Sequence, residues 1–363
     1  MKINSTEFKA VLDKLRPGLS KKEMVSGMRD FYFSGTDIVC FNGAIAIHHP
    51  LKTDFRCALD ASKFAKIIQG ADANEELTLD LDIDILNIKS ESLEAQIPAT
   101  VEFFFADVVQ SITKEIQEME WFEISPTLME GLSLCSFSAS KKSKEGSLFC
   151  VCVDGKDIFS SDGPRGSVFR MDEIVSTNTL LIRSDLIGDI ARFKYKAISD
   201  SDSWIHLMTE DDIVLSIRKI LGTYPIEKLR KIFDSISIAP EFDLPSELIN
   251  VIESASVFTE NREDSDPYIE ITLKEKTLSV KSDKSWFKDT PGTGKITKKI
   301  KVEKAFPKEA TFKISPVFLK EILTRSTSMK LSEKYAIFFH GEKFINLTAL
   351  VVEDLPVKKE GDA

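Results

Sequence analysis

The sequence has no long hydrophobic run. Residues 1–7 hold no apolar stretch of the length that a signal peptide needs, and no later stretch approaches a membrane span. Hydrophobic residues make up 42% and charged residues 29% of the 363 residues, a balance that allows two or three soluble domains with substantial cores. These features predict a cytoplasmic protein with no membrane partner.

Cysteine is scarce, and its five copies form no C-x-x-C pair. Cys150 and Cys152 alternate within an apolar run typical of a strand, which favours reduced thiols in a core over disulfides or zinc ligands. Asp80, Asp82 and Asp84 alternate with Leu and Ile, so we interpret them as the solvent face of one strand rather than a metal site. We therefore expect no metal and no cofactor.

Histidine is scarcer still, with four copies. His48 and His49 precede a proline at a strand end, while His206 and His340 are isolated in strand patterns. None has a nearby Cys, Ser or acidic partner that forms a nucleophile constellation. We consequently predict no catalytic residues and no enzyme activity.

One stretch is similar to a nucleotide-binding phosphate loop. Residues 291–297 read Pro-Gly-Thr-Gly-Lys-Ile-Thr, but Asp289 occupies the position of the first glycine of that motif and Ile296 the position of its hydroxyl residue. A hairpin loop is favoured. A nucleotide-binding enzyme that uses the loop from Gly292 to Lys295 is kept as an alternative.

Two distant stretches share a helix start. Ser125 and Ser315 are each followed by proline, which suits an N-cap serine and a first helical residue that needs no N–H donor. Apolar residues then recur at helical spacing, such as Leu128 and Leu132 in the first stretch. The two stretches therefore predict two copies of one structural unit.

The same unit recurs along the whole chain. About every 60 residues a predicted helix is followed by predicted strands, which indicates an internal repeat. The helices are predicted at residues 5–15, 61–70, 124–135, 183–196, 244–257 and 315–327. The six units pair into three α+β domains, predicted at residues 1–120, 121–240 and 241–363.

Three motifs connect this repeat to a known family. Residues 159–165, Phe-Ser-Ser-Asp-Gly-Pro-Arg, are similar to a family strand that ends in Thr-Asp-Gly-His-Arg. Residues 221–225 are similar to the family's Asp-Gly-Arg-Phe-Pro element, and residues 93–109 to the exit segment of its first domain. The whole chain thus resembles the bacterial-type DNA polymerase sliding clamp, the DNA polymerase III subunit beta family, whether bacterial or phage-encoded.

The resemblance implies a fold and a function together. It implies three tandem clamp domains, each of two helix-plus-sheet halves, that form a crescent and close into a ring with helices inside and sheets outside. Such a ring is a homodimer that encircles double-stranded DNA without sequence specificity and acts as a DNA polymerase processivity factor. Its implied partners are the DNA polymerase, the clamp loader and other clamp-binding-motif proteins. A clamp-like ring of different stoichiometry stays open.

The charge distribution agrees with a helix-lined hole. The formal net charge of −10 argues against indiscriminate nucleic-acid binding, yet the predicted helices hold ten basic and eight acidic residues. Lysines that merely solvate exposed helix faces are the alternative interpretation. The candidate DNA-binding residues, on helices and nearby loops, are Lys9, Lys14, Lys21, Lys22, Lys63, Lys66, Lys141, Lys142, Arg183, Arg192, Lys194, Lys196, Lys320 and Arg325.

The resemblance also implies a peptide-binding groove, and a shallow apolar cleft with a few polar edges suits a short hydrophobic peptide. Pro164 stands where the family has His, Gly166 where it has an apolar residue, and Ile232 or Phe233 where it has Pro. Taken alone, residues 162–164 predict a β-turn. The candidate groove residues are Leu148, Ser161, Gly163, Pro164, Arg165, Ile232, Phe233, Leu347, Ala349 and Leu350.

Overall fold

The computed structural model describes residues 1–22, 25–101, 106–238, 240–258, 267–283 and 294–351. Within those ranges the chain forms four antiparallel sheets and eight α-helices, which confirms the α+β class. It divides into two compact units, Met1–Pro126 with Leu180–Leu221 (unit 1) and Thr127–Thr179 with Gly222–Ala363 (unit 2). The three-domain division stays a prediction.

The elements are as follows in chain order. The helices are α1 (Ser5–Leu15), α2 (Ala61–Gln69), α3 (Ala106–Glu118), α4 (Leu128–Ser136), α5 (Ile187–Ile190), α6 (Ile226–Asp234), α7 (Leu248–Ala255) and α8 (Pro316–Leu323). The strands are β1 (Lys2–Asn4), β2 (Asp30–Phe33), β3 (Asp37–Phe41), β4 (Ile45–Pro50), β5 (Cys57–Asp60), β6 (Glu76–Asp82), β7 (Ile85–Lys89), β8 (Glu94–Pro98), β9 (Phe122–Glu123), β10 (Cys150–Asp154), β11 (Asp157–Ser161), β12 (Arg165–Arg170), β13 (Leu180–Arg183), β14 (Tyr195–Asp200), β15 (Trp204–Thr209), β16 (Val214–Arg218), β17 (Phe242–Asp243), β18 (Ile269–Lys274), β19 (Thr277–Asp283), β20 (Lys295–Lys301), β21 (Ala310–Ile314), β22 (Ser328–Leu331), β23 (Tyr335–His340) and β24 (Phe344–Ala349). None of the helices in the described ranges has the length and apolar character needed to cross a membrane.

Five predicted helices are confirmed, at α1, α2, α4, α7 and α8. The helix predicted at residues 183–196 is wrong, because only a 3₁₀ turn and the four residues of α5 are helical there. In a longer helix the Ile190 carbonyl would accept from the N–H of Lys194. Here it accepts instead from the Tyr195 hydroxyl, over 2.7 Å. The sequence patterns also missed α3 and α6.

The predicted serine caps are not formed. Helix α4 begins at Leu128, three residues after Ser125, and its N-cap Thr127 makes no capping hydrogen bond through its side chain. Ser315 does stand at the N-cap of α8 with proline next to it, but its side chain makes no capping hydrogen bond either. Proline at the first helical position therefore marks the start of α8 without help from the hydroxyl.

In unit 1 the larger sheet has the strand order β5-β2-β3-β4-β16-β15-β14-β9, and the smaller has the order β1-β6-β7-β8. Helices α1 and α2 cover one face of the larger sheet, where the Phe64 ring meets Phe8 and Phe33 edge to face at 5.7 and 5.8 Å. Helix α3 covers the opposite face, where Ile112 packs in a buried cluster that includes Phe41 and Trp204. The sheet is thus buried on both sides.

Two histidines are buried in unit 1 on the side that α3 covers. His206 Nδ1 lies 2.8 Å from the Ser216 hydroxyl, and its Nε2 lies 3.6 Å from the Glu115 carboxylate of α3. The expectation that His206 has no such partner is therefore wrong, because strand pairing and α3 bring together residues that are distant in the sequence. His206 and Ser216 are both fully buried, so a substrate has no access to this arrangement.

Burial also controls the protonation of these histidines. It lowers the pKa of His48 to about 4, and the charge of His206 acts in the same direction. Burial likewise lowers the pKa of His206 to about 4, against the opposing attraction of the Glu115 carboxylate. Both imidazoles are therefore neutral in the folded protein at neutral pH.

In unit 2 the strands β10-β11-β12-β24-β23-β22-β17 are neighbours in that order, and a second sheet has the order β20-β19-β18-β21. Helix α4 packs closely on the first sheet because Gly131 has no side chain. A Cβ atom there would lie 2.5 Å from Ile158 and 2.6 Å from the Phe169 ring. On the other face, α6 places Phe233 against Gly166, where a Cβ atom would lie 3.5 Å from the ring.

The structure can be compared with two predictions about side chains, one for the cysteines and one for the aspartates of β6. All five cysteines are buried and none forms a disulfide, as the apolar patterns around them indicate. In β6, Leu77 and Leu79 are fully buried while Asp80 and Asp82 are exposed. Asp80 and Asp82 therefore lie on the solvent face of β6, as the alternation predicts. Asp84 is exposed in the turn between β6 and β7, so the prediction of one strand for all three aspartates is wrong.

Candidate functional site

A basic cleft of about 650 Å³ lies in unit 1. It forms where the end of α1 and the loop that follows meet the segment around α5. Two carboxylates, Asp185 and Asp189, share the lining with a larger number of cations. The cationic lining residues are Arg16, Lys21, Lys22, Arg183 and Arg192, four of which belong to the candidate DNA-binding set.

The cations of this cleft are held by weak, local ion pairs. Arg183 donates to Asp185 over 2.7 Å, Arg192 pairs with Asp189 at 3.3 Å, and Arg16 pairs with Asp13 at 3.1 Å. Pairs this exposed contribute about 0–1 kcal/mol each. Breaking these ion pairs therefore costs little free energy. Arg16, which is not in the candidate set, lines the same cleft.

A second cleft of about 290 Å³ in unit 1 also has Arg16 in its lining and adds Arg29 and Lys66. Lys63 and Lys194 are exposed outside the two clefts. The remaining candidates of unit 1 are engaged with the protein itself: Lys9 donates to the Ala71 carbonyl, Lys14 to Asp211 and Lys196 to Asp212. The structure thus brings some of the candidate DNA-binding residues of unit 1 together in the two clefts and leaves the others outside them.

The candidate cations of unit 2 are arranged around α8. Lys141 donates to Glu321 over 2.6 Å, and Lys320 pairs with Glu253. Arg325 lies over the Phe137 ring at 4.2 Å and donates to the Glu321 carbonyl over 2.7 Å. Lys142 is exposed next to Lys141. Lys141 and Lys320 are exposed like Lys142, whereas Arg325 is only partly exposed.

The candidate peptide groove is centred on the turn between β11 and β12. Ser161 Oγ donates to the Arg165 carbonyl over 2.7 Å and accepts from the Gly163 N–H over 3.1 Å. Gly163 has φ of +96°, a conformation that favours glycine. The Ala349 N–H donates to the Pro164 carbonyl over 2.9 Å. The predicted turn is therefore present, and it is joined to β24, the strand that the sequence predicts as the groove wall.

The apolar candidates of the groove differ in how deeply they are buried. Phe233 is only 1% exposed and Leu347 5%, and Leu347 is paired opposite Gly166 in the sheet. These two side chains form a floor. The other apolar candidates are partly exposed, namely Leu148, Ile232, Ala349 and Leu350.

Arg165 lies on the other side of the sheet from this floor. Its guanidinium donates to Asp162 over 2.9 and 2.8 Å and also to Glu321 of α8, and it stacks over the Phe318 ring at 4.0 Å. Successive strand residues point to opposite faces, so Arg165 faces α4 and α8 because Gly166 faces Phe233 of α6. Asp162, Phe318 and Glu321 are partners that the sequence motif did not reveal.

The phosphate-loop alternative does not fit the fold. A phosphate loop is followed by a helix, whose N-terminus binds the phosphate. Here Lys295 begins β20, an exposed edge strand, and residues 291–293 lie outside the described ranges. A strand after the lysine provides no such helix N-terminus, so this interpretation is wrong.

Solved structures match the whole chain in fold, although no family model and no curated protein matches the sequence. A DNA polymerase III beta chain from Streptococcus pneumoniae TIGR4 aligns with a TM-score of 0.76 at 15% identity, over 97% of this chain and 99% of its own. The Helicobacter pylori beta clamp in complex with 3,4-difluorobenzamide gives 0.75 at 16% identity, over 97% and 99%. A Pseudomonas aeruginosa sliding clamp bound to griselimycin gives 0.76 at 11% identity with the same coverage. The protein therefore has the sliding-clamp fold of the bacterial DNA polymerase III beta subunits.

Proposed function

We propose that this protein is a DNA polymerase processivity factor, a sliding clamp that encircles duplex DNA and tethers the replicative polymerase. The observation that carries the proposal is the match in fold over 97% of this chain and 99% of the clamp chains. A shared fold alone does not decide function. The basic cleft and the apolar groove supply the two kinds of site that this function requires.

DNA contact in this proposal is electrostatic. Lys21, Lys22 and Arg192 are exposed cations that can each neutralise one backbone phosphate, and their neighbouring carboxylates are weakly held. Contacts of this kind are independent of sequence and permit sliding. Retention then comes from topology, because a closed ring cannot dissociate sideways from DNA.

Ring closure is proposed to join two copies of the chain head to tail. Strand β20, at the edge of one small sheet, exposes Lys298, Lys299 and Lys301. The small sheet of unit 1 exposes Asp80 and Asp82. Opposite charge on the two sheets favours pairing between copies and disfavours pairing of like with like. A clamp loader would open this ring on DNA.

The groove of unit 2 is proposed to bind short hydrophobic segments of the polymerase, the loader and other clamp-binding-motif proteins. Its apolar floor at Phe233 and Leu347 and its hydrogen-bonded turn at Gly163 are features of shallow peptide sites. The protein itself performs no chemistry in this role and acts in the cytoplasm, where bacterial DNA is replicated.

The decisive experiment is retention on circular DNA. The protein is loaded onto a nicked circle with its loader, and the fraction bound is followed after a restriction enzyme linearises the circle. We expect slow loss from the circle and rapid loss after linearisation. Equal loss from both forms would refute topological binding.

Stoichiometry is tested separately by light scattering on the eluate of a gel-filtration column. We expect a dimer that dissociates when Lys298 and Lys299 are both replaced by Glu, because like charges then face each other across the junction. A stable trimer would instead support the ring of different stoichiometry, and a monomer at micromolar concentration would contradict any ring.

A further inference from the structure

Five charged side chains of unit 2 form one connected cluster, which we name the Arg165 cluster: Lys141, Asp162, Arg165, Glu321 and Arg325. Glu321 accepts from both Lys141 and Arg165, and Arg165 also binds Asp162 through two hydrogen bonds. Arg325 is joined to the same helix end through the Glu321 carbonyl. The cluster holds three cations and two carboxylates, so it has one positive charge in excess.

The Arg165 cluster lies between the turn of the candidate groove and one candidate DNA contact of unit 2. At one end, Asp162 begins the turn whose Pro164 carbonyl accepts from Ala349 in the groove wall. At the other end, the Lys141 side chain is 71% exposed and belongs to the candidate DNA contacts. Arg165 lies between them, 3% exposed, with its guanidinium stacked on Phe318.

This position excludes Arg165 as a peptide contact. Its guanidinium is on the side of β12 that faces α4 and α8, and three of its N–H groups donate to Asp162 and Glu321. Bidentate and stacked contacts hold a guanidinium in one orientation. Arg165 is therefore a positioning residue: through Asp162 it holds the turn of residues 162–164 from the side of the sheet opposite Phe233.

We propose, on the basis of the proposed function, that the Arg165 cluster couples DNA binding to peptide binding. A DNA phosphate bound at Lys141 then increases the affinity of the groove for its peptide. Such a phosphate neutralises the excess positive charge and replaces Glu321 as the partner of Lys141. Arg165 then remains as the cation that is hydrogen-bonded to the Glu321 carboxylate. The ion pair between them becomes stronger and holds the turn of residues 162–164 more firmly. Linkage requires that bound peptide raises DNA affinity by the same factor.

The test measures peptide affinity with and without saturating duplex DNA at one fixed ionic strength, because salt screens these charges. The probe is the labelled peptide of the cognate polymerase that binds most tightly when overlapping segments of that polymerase are titrated. We expect duplex DNA to tighten peptide binding by about fivefold or more, the lower end of typical allosteric coupling.

The variants are Lys141→Gln and, as a matched control, Lys343→Gln. Each removes one lysine from an ion pair with a carboxylate in unit 2, since Lys343 pairs with exposed Asp172 at 2.5 Å. The effect of DNA on peptide affinity should fall towards a factor of one in Lys141→Gln and persist in Lys343→Gln. Lys141 is exposed, so this variant is expected to fold, and Glu321→Gln should reproduce its loss of coupling.

Two results would overturn the coupling while leaving the clamp function intact. One is an unchanged peptide affinity on addition of DNA, although each ligand binds alone. The other is equal coupling in the Lys141→Gln and Lys343→Gln variants. If neither peptide nor DNA binds the unmodified protein, the proposed function itself fails and the coupling fails with it.

Discussion

Replacing His48 should remove much of the acid sensitivity of this protein. The pKa of His48 falls from 6.5 to about 4 on folding because the imidazole is buried at 4% exposure. Below pH 6.5 the unfolded chain binds a proton at this site that the folded protein excludes. The contribution to stability is therefore intact above pH 6.5 and is lost as the pH falls towards 4.

The size of the effect follows from the two pKa values. At about pH 5, linkage gives a loss of about 2 kcal/mol for His48 alone, rising to about 3 kcal/mol at pH 4. His206 acts in the same direction, because burial lowers its pKa as well. The unmodified protein should therefore be several kcal/mol less stable at pH 5 than at neutral pH.

The assay is urea unfolding of the unmodified protein and the His48→Gln variant, followed by circular dichroism near pH 7.5 and near pH 5. The control variant is His340→Gln, since His340 is exposed at the end of β23. The difference in unfolding free energy between the two pH values should shrink by about 2 kcal/mol in His48→Gln and stay the same in the control. An unchanged pH dependence in His48→Gln would refute this reasoning.

Three further predictions concern packing and charge. Gly131→Ala should destabilise unit 2 by about 1–2 kcal/mol, because overpacking against Ile158 and Phe169 exceeds the gain in helix propensity. The control Gly188→Ala has open space around the added Cβ and should be neutral or stabilising. The midpoints of urea unfolding of the two variants test this difference. Phe233→Ala should cost about 3–5 kcal/mol in unfolding free energy, since the buried ring packs on Phe159 and Gly166, and a loss below 1 kcal/mol would place that ring outside the core. Replacing Lys21 and Lys22 by Gln should reduce the slope of log affinity for duplex DNA against log salt by about 0.9 per lost contact, while Lys343→Gln should leave the slope unchanged in the same filter-binding titration.

The periodic pattern of the sequence predicted most of the fold, and its failures have physical causes. Helices α1, α2 and α8 begin within a residue of the predicted starts because their apolar faces recur at helical spacing. The buried residues Val109 and Ile112 of α3 have the same spacing, but the motif assigned to residues 93–109 extended over the start of that helix. The alternation of residues along the strands of unit 1 does not indicate that a helix such as α3 covers the second face of their sheet.

The site was less predictable because its partners come together only through strand pairing. The motif located the turn of residues 162–164 correctly, but it did not indicate which face Arg165 occupies. Glu321 is 156 residues away in the sequence, and its contact with Arg165 depends on β12 lying next to β24. A single sequence contains no signal for that pairing. The clefts around Arg16 depend in the same way on segments that meet only in the folded unit.

The way each large sheet is assembled has a consequence for biosynthesis. Strand β4 pairs with β16, matching Ile47 with Leu215, and β12 pairs with β24, matching Val168 with Ile345. Contacts between such distant segments make folding slow, since long loops must close first. On the ribosome, β4 and β12 therefore present open strand edges until their partners emerge, and an open edge is a template for aggregation. Production of this protein should consequently be sensitive to translation speed and to chaperones in a way that its folded stability does not reveal.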